Sequence, residues 1–531
     1  MRYVREITAR VRRVPLLQKE LRSLATRLDQ RFAFSYIITV MKATVASLLL
    51  AAVGLTADPT DFQNNVPGPG CSAGQAMNDA MAGPAVASSA SSMGPLRVHP
   101  TNPRYFADAC GKAVYLTGSH THLSFKDGGG RAAGTSPLDY NAYLDLMVAN
   151  RHNFMRLWSG WELTIYDPAP WRRTGPGVAA DGAPRFDLTK LDEAYFDRLR
   201  QRVLAAQKKN IYVSVMLFEG WLLRFVPNSA AQHPLSSANN INGIDADTNQ
   251  DGSVTEAHTS KNAAVTAIQE AYVRKVIDTL NDLDNVLYEI ANESVFPASV
   301  EWQYHMINYI KKYEATKPLQ HPVGMTSAGF SSSYDDLTNL LDSPADWISP
   351  GRPRSLTYDY LNNPPAADGL KVVISDSDHL ARVMENPSWI WKSMTRGINP
   401  IFMDVYPPLD TLQSGDPSFI RKTMGYARAY ADKIDLSSMT PRADLVSTGY
   451  ALANPGSEYL IYQPGSGSFA VSLQNGRYDY EWFNPSKGLS AGTGSFTASS
   501  GNRTFTPPFA GSAVLLIRAA GASASPTAGA P

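Results

Sequence analysis

Short apolar segments recur along residues 113–406, and each one ends in polar or ionisable residues. Helical patterns separate most of them; in 266–284, for example, apolar side chains recur at i, i+4 spacing. Near-continuous apolar strands are typical of a parallel sheet that is buried on both faces. The eight apolar runs are 113–122, 153–162, 211–220, 285–293, 321–328, 346–351, 371–379 and 399–406.

Eight strands that alternate with helices predict an α/β fold, a (β/α)8 TIM barrel over residues 96–437. Further helices are predicted at 138–151, 191–210 and 301–318. A doubly wound open sheet is the alternative. No glycine-rich phosphate-binding motif follows any strand, so the usual ligands of such a sheet would lack a cradle.

The pattern changes after about residue 437. Short alternating strands with Gly, Asn-Gly and Pro turns predict a C-terminal antiparallel β-sandwich over 438–520. A disordered tail is expected at 521–531.

The N-terminal region, 1–57, is basic and then strongly apolar. A segment that starts at Met41 has a lysine, a short apolar core and small residues, as a secretory signal peptide does. This predicts a secreted or cell-envelope protein. The alternative is a membrane anchor retained over 32–57, since the apolar run approaches the ~20 residues that span a bilayer. Residues 58–95 are expected to form a flexible linker.

Lys+Arg and Asp+Glu each number 48, so the formal net charge is +0. This excludes bulk attraction to nucleic acid or to an anionic membrane. The two cysteines, Cys71 and Cys110, exclude a disulfide framework and a zinc site of standard spacing. They leave open either one bridge or two thiols. No cofactor and no obligatory protein partner are expected.

The carboxyl ends of barrel strands point into the active site. The sequence therefore predicts a cleft rich in carboxylates, with arginine, histidine and tryptophan between them. The residues at the strand ends are His120, His122, Arg156, Trp158, Trp161, Glu162, Glu219, Asn292, Glu293, Asp376, Asp378, His379, Asp404 and Tyr406.

Glycoside hydrolysis needs two carboxyl groups that flank one bond. In "NVLYEIANE" (285–293) an apolar strand ends at Asn292 and Glu293. The strand would carry Glu293 into a partly desolvated site, where its pKa rises toward that of a working acid. The predicted function is hydrolysis of O-glycosidic bonds in a poly- or oligosaccharide.

"NVLYEIANE" resembles the strand-four signature of the cellulase-like, family 5-type glycoside hydrolases of clan A, and "NFMRLW" resembles their strand-two motif. The resemblance implies that Asn292 binds the sugar 2-hydroxyl, that Glu293 is the acid/base, and that Arg156 orients the nucleophile. It also implies retention of configuration. The hairpin at 96–118 and the C-terminal sandwich resemble a little-characterised branch of this superfamily, whose C-terminal domain is often labelled collagen-binding.

One departure concerns strand seven, where the family usually has a glutamate and "KVVISDSDH" (371–379) offers two aspartates. Alignment of the apolar run places Asp376 at the nucleophile position, and Asp378 is the alternative. The remaining residues predicted to contact the substrate are His120, His122, Trp158, Trp161, Glu219 and His379.

Two rival functions follow from other features. A non-catalytic carbohydrate- or matrix-binding protein is the alternative if the missing strand-seven glutamate means that the barrel has lost its nucleophile. A metal-dependent hydrolase would need His120, His122, Asp376 and His379 to converge on one point.

Residues 247–258 partly match a calcium loop, but His258 stands where a glutamate is wanted. A polar, turn-rich loop is therefore the other interpretation of this segment.

Overall fold

The computed structural model describes residues 94–126, 138–159, 168–329, 336–351, 358–380, 386–404, 406 and 416–521. The predicted signal peptide or anchor, nearly all of the linker and nearly all of the tail lie outside these residues. Within them, no helix is long and apolar enough to cross a membrane.

Each of the eight predicted runs contains one strand of a parallel sheet, and the predicted barrel is confirmed. The strand order around the sheet is β1-β8-β7-β6-β5-β4-β3-β2. The strands are β1 (Gly118–His120), β2 (Phe154–Leu157), β3 (Tyr212–Glu219), β4 (Val286–Asn292), β5 (Val323–Thr326), β6 (Trp347–Ser349), β7 (Val372–Asp376) and β8 (Asn399–Met403).

The two ends of this sheet meet and nearly close the barrel. The Asn153 N–H donates to the Thr117 carbonyl at 2.9 Å, just before both strands begin. A Cβ atom on Gly118 would lie 2.0 Å from the Phe154 carbonyl oxygen. Only glycine allows β1 and β2 to approach so closely.

Helices lie between most of the strands, and each of the four predicted helical segments overlaps one of them. Asp139, Asp192 and Asn262 precede three of them and accept backbone N–H groups of the first turn, as N-cap residues do. The helices are α1 (Tyr140–Ala149), α2 (Glu193–Gln207), α3 (Trp221–Phe225), α4 (Ala263–Leu280), α5 (Val300–Glu314), α6 (Leu337–Asp342), α7 (Ser388–Thr395) and α8 (Ser418–Lys433), with 3₁₀ turns at Ser229–Gln232, Thr255–His258, Ser377–His379 and Ala443–Leu445.

The barrel interior is apolar at the N-terminal end of the strands. Phe154, Tyr212, Leu287 and Trp347 belong to one buried cluster there. A small antiparallel sheet adds to this cluster and covers that end; its strands are Arg97–Val98, Phe106–Ala107 and Ala113–Val114. Charged side chains occupy the next layer, toward the C-terminal ends of the strands.

The C-terminal region is an antiparallel β-sandwich, as predicted. One face of its larger sheet packs on the barrel, where the Trp391 and Phe483 ring centroids are 5.9 Å apart. Lys433 Nζ also donates to Glu481. The larger sheet contains Thr440–Pro441, Ala451–Asn454, Glu458–Gln463, Ala513–Ala519, Gly476–Asn484 and Leu489–Ala498, and the smaller sheet contains Phe469–Leu473 and Gly501–Phe505.

Two loops on the C-terminal side of the barrel carry structure of their own. After β2, an antiparallel hairpin, Trp171–Val178 with Pro184–Leu191, was not predicted from the sequence. After β3, the calcium-like loop folds on itself: Asp247 accepts the backbone N–H groups of Asp251 and Gly252. His258 instead accepts from or donates to Ser294 Oγ at 2.8 Å and stacks on Trp302. Both the calcium-loop interpretation and the polar, turn-rich interpretation of this segment stay predictions.

Candidate active site

Arg156 on β2 is the centre of a buried network at the C-terminal end of the barrel. Its Nε and NH2 atoms donate to the two Glu289 oxygens at 2.9 and 2.5 Å. Its NH1 atom donates to Asp376 at 2.8 Å and to Asp378 at 3.2 Å. NH2 also donates to Asn292 Oδ1 at 2.9 Å. One guanidinium therefore joins residues of β2, β4 and β7.

Asp376, the last residue of β7, is completely buried. Its Oδ1 atom accepts from His120 Nε2 at 3.0 Å and from the Asp378 N–H at 2.9 Å, while Oδ2 accepts from Arg156. Burial favours the neutral acid, but the interactions with His120 and Arg156 outweigh it and hold the pKa of Asp376 well below its usual range. Asp376 is therefore a buried carboxylate.

Trp158 fixes the orientation of His120. Trp158 Nε1 is only a donor, and it donates to His120 Nδ1 at 2.9 Å. His120 Nδ1 therefore carries no hydrogen, and Nε2–H is the atom that donates to Asp376. The Trp158 side chain is buried, so its rings pack on His120 and Arg156 and are not open to a sugar in this structure.

Asp378 lies in the 3₁₀ turn that follows β7 and is 13% exposed. Its Oδ2 atom accepts from Arg156 and lies 3.8 Å from His379 Nε2. Burial and the neighbouring negative charge of Asp376 raise the pKa of Asp378 to about 6. Asp378 is thus ionised at neutral pH, yet it is far more basic than Asp376.

Glu293 follows β4 with a left-handed backbone, φ +42°. Arg224 NH1 holds its carbonyl oxygen at 2.9 Å and also donates to the Ala328 carbonyl at 2.7 Å. The carboxyl group rests on Gly329, where a Cβ atom would lie 2.4 Å from Glu293 Cδ. A left-handed backbone conformation raises the conformational energy of a non-glycine residue, and such strained residues recur at functional sites.

The surroundings of the Glu293 carboxyl group favour its protonated form. Burial, followed by the negative charge of Asp378, raises its pKa to about 8, against the opposing charges of Arg224 and Arg156. A buried acid beside an ionised carboxylate is the pairing that general acid catalysis needs.

Asn292 is held from three sides. Its Oδ1 atom accepts from Arg156 and from His379 Nε2, the latter at 3.3 Å, and its Nδ2 atom donates to Glu219 at 3.3 Å. Glu219 Oε1 also accepts the Trp221 N–H at 2.6 Å, and burial raises the pKa of Glu219 well above its usual value. Asn292 Nδ2 also lies 3.5 Å from the second Glu219 oxygen, so both donor contacts of the amide in this structure go to Glu219.

The structure thus brings together most of the predicted site residues. His122 lies in the turn after β1, half-buried, and the network above does not include it. Trp161 and Glu162 lie outside the described residues. Asp404 instead makes a two-hydrogen-bond pair with Arg421, and Tyr406 stacks on Tyr143.

Sequence reasoning missed Glu289, Arg224 and Gly329. For Glu289 a signal existed, because a charged residue in the middle of an apolar strand needs a buried partner, and Arg156 is the matching charge on β2. No comparable signal marked Arg224 or Gly329. Arg224 binds backbone carbonyl oxygens, and Gly329 matters because it has no side chain where the Glu293 carboxyl group lies.

The geometry also bears on the rival functions. The binding-protein alternative would be favoured by two distant carboxyl groups with no third acid near Glu293. The charge of Asp378 raises the pKa of Glu293, and the charge of Glu293 raises the pKa of Glu219, so other acids do lie near Glu293. For the metal-dependent alternative, the ring nitrogens of His120 and His379 are taken up by hydrogen bonds. In the part of the chain that the structure describes, no group of three or more His, Cys, Asp or Glu side chains is arranged to hold a metal.

Comparison with known proteins gives a partial match to one family model and a shared fold. The sequence model of a family described as "Domain of unknown function (DUF6298)" matches residues 149–330, which include β2 to β5. No curated protein matches the chain.

Solved structures of glycoside hydrolases are similar to this chain over most of its length. One, named "Glycoside hydrolase", has 13% sequence identity and a TM-score of 0.55, covering 81% of this chain and 98% of that chain. A glycoside hydrolase family 5 protein from Bacteroides vulgatus has 12% identity and a TM-score of 0.54, covering 80% of this chain and 93% of that chain. At this identity the likeness shows the shared fold.

Proposed function

We propose that this protein hydrolyses O-glycosidic bonds of a poly- or oligosaccharide with retention of configuration. The observation that carries the proposal is the pairing of Glu293, a buried acid with a pKa of about 8, with an ionised aspartate held by Arg156. Two carboxyl groups in opposite protonation states are what the two-carboxylate mechanism requires. The likeness to structures named glycoside hydrolases supports it.

In the first step, Glu293 would donate its proton to the glycosidic oxygen as the C1–O bond breaks. An aspartate of the 376–378 segment would attack C1 from the opposite face and form a glycosyl ester. In the second step, the Glu293 carboxylate takes a proton from water as the water oxygen attacks C1 and releases the aspartate. Both protonation states are then restored.

Asn292 would bind the sugar 2-hydroxyl through its Nδ2 amide group. The other bonds of this amide, to Arg156, His379 and Glu219, hold it in one orientation. A hydrogen bond to the 2-hydroxyl that strengthens in the transition state contributes to catalysis in enzymes of this mechanism.

We further propose that the protein is exported, through the apolar segment that starts at Met41, and that it acts outside the cytoplasm or in the cell envelope. The sequence pattern alone supports this. The resemblance to a branch with a collagen-binding label suggests that the sandwich attaches the enzyme to a matrix, and this too rests on sequence alone.

The test is sugar release by residues 96–531 from plant, bacterial and animal polysaccharides and from aryl glycosides, with Glu293→Gln beside the wild type. We expect release from at least one substrate and a loss of about 10²–10⁴-fold in the variant. Activity that is indifferent to Glu293, or binding without any hydrolysis, would contradict the proposal.

A further inference from the structure

The two strand-seven aspartates have different surroundings, although they are two residues apart. The Asp376 side chain has 0% of its surface exposed, whereas that of Asp378 has 13%. Asp376 receives three hydrogen bonds, from His120, Arg156 and the Asp378 N–H. Among the described residues, Asp378 receives one side-chain hydrogen bond, from Arg156 at 3.2 Å.

The chain direction after β7 explains this difference. Asp376 ends the strand and caps the 3₁₀ turn Ser377–His379 by accepting the Asp378 N–H at 2.9 Å. The turn carries the next carboxyl group past the end of the strand. Asp378 therefore lies beyond the end of β7 and, unlike Asp376, has exposed surface.

A nucleophile must bring a lone pair into contact with the anomeric carbon, and a carboxylate without exposed surface cannot do so. Resting on the proposed function, we propose that Asp378 is the nucleophile and that Asp376 is a positioning residue, which holds Arg156 and His120 in place. This reverses the assignment that the apolar run of β7 predicts from the sequence.

An Asp378 carboxylate oxygen forms a bond to C1, and the C1–O bond to the leaving group breaks. The electron pair of that bond goes to the leaving oxygen, which takes the Glu293 proton. Water then supplies its oxygen to C1 and its proton to Glu293, and Asp378 leaves as a carboxylate.

The charges agree with this division. The charge of Asp378 raises the pKa of Glu293 more than the charge of Asp376 does, as expected if Asp378 is the nearer of the two. At neutral pH Asp378 is ionised, and Arg156 contacts both aspartates, so it can stay paired with Asp376 while Asp378 bonds to the sugar.

The direct test needs no variant. The wild-type protein is incubated with 2,4-dinitrophenyl 2-deoxy-2-fluoro-β-glycosides of glucose, mannose, galactose and xylose, and the adduct is placed by fragment mass spectrometry. We expect the adduct on Asp378. An adduct on Asp376 overturns the inference and leaves the proposed function intact. Hydrolysis of the parent glycosides with no adduct on either aspartate also overturns the assignment of Asp378. Absence of any hydrolysis would contradict both this assignment and the proposed function.

Two variants separate the roles further. Asp378→Ala should lose activity by on the order of 10³-fold or more, and azide should restore turnover at least about tenfold by attacking C1 from the vacated space, with a glycosyl azide as product. Asp376→Asn keeps the shape but removes the charge that raises the pKa of Asp378, so the acidic limb of its pH profile should move to lower pH. Azide rescue in Asp376→Ala but not in Asp378→Ala would reverse the assignment.

Discussion

Arg156 and Glu289 form an ion pair with two hydrogen bonds inside the barrel, and neither side chain is more than 1% exposed. The Arg156 guanidinium also donates hydrogen bonds to Asp376, Asp378 and Asn292, so it connects Glu289 to the rest of the site. Glu289 touches none of the reacting groups in the proposed mechanism. Its effect is to fix the arginine that they share.

Glu289→Gln should therefore destabilise the fold. The substitution leaves the buried Arg156 with less negative charge around it, and breaking a buried pair costs about 3–5 kcal/mol. The measurement is urea unfolding followed by tryptophan fluorescence. The matched control is Asp282→Asn, which breaks the pair of Asp282 with Arg200, 64% and 35% exposed, and should cost less than about 1 kcal/mol. Equal losses in the two variants would contradict the role given to Glu289.

The pH dependence of kcat/KM should be bell-shaped. Activity requires Asp378 ionised and Glu293 protonated, so it falls below about pH 6 as Asp378 takes a proton and above about pH 8 as Glu293 loses one. The charges of Asp376, Arg156, Arg224 and His120 also act on the pKa values of this pair. The measurement is initial rates from pH 4 to pH 10 on a substrate that the wild type hydrolyses. An acidic limb below pH 4 would point to Asp376, whose pKa lies well below its usual range.

Gly329→Ala should reduce activity through geometry. Gly329 has φ +82°, and the new methyl group would collide with the Glu293 carboxyl group. Gly182 is the control, because it has φ +80° and nothing lies within 4 Å of a Cβ there. Both alanine variants acquire similar backbone strain. Only Gly329→Ala should lower kcat, by about tenfold or more if the acid moves by roughly 1 Å. An equal loss of kcat in Gly182→Ala would show that strain alone is responsible.

The sequence was sufficient for the barrel because each strand is a short apolar run that ends in polar residues. The same logic placed Glu293, Asn292 and Arg156 in one site, since the carboxyl ends of the strands converge. It did not detect the hairpin Trp171–Val178 and Pro184–Leu191, whose strands contain prolines and mostly exposed polar residues, and whose buried apolar residues, Trp171, Phe186 and Leu188, form no regular alternation.

The relation between Asp376 and Asp378 could not be obtained from the sequence. It depends on a single turn, in which one aspartate caps the backbone of the other. Period-2 alternation would place both side chains on the same face of a continuing strand. Whether the strand ends at Asp376 or continues to Asp378 decides which carboxyl group is exposed, and tertiary contacts with His120 and Arg156 decide that.

If Glu293 protonates the leaving group, its removal should matter only for leaving groups that need a proton, and kinetics of Glu293→Ala on two aryl glycosides measure this. On a phenyl glycoside, whose leaving group needs a proton, we expect a loss of about 10²–10⁴-fold. On the matching 2,4-dinitrophenyl glycoside the bond-breaking step should be nearly unaffected, and azide should give a glycosyl azide of retained configuration. The same loss on both substrates, with no effect of azide, would show that Glu293 does not protonate the leaving group.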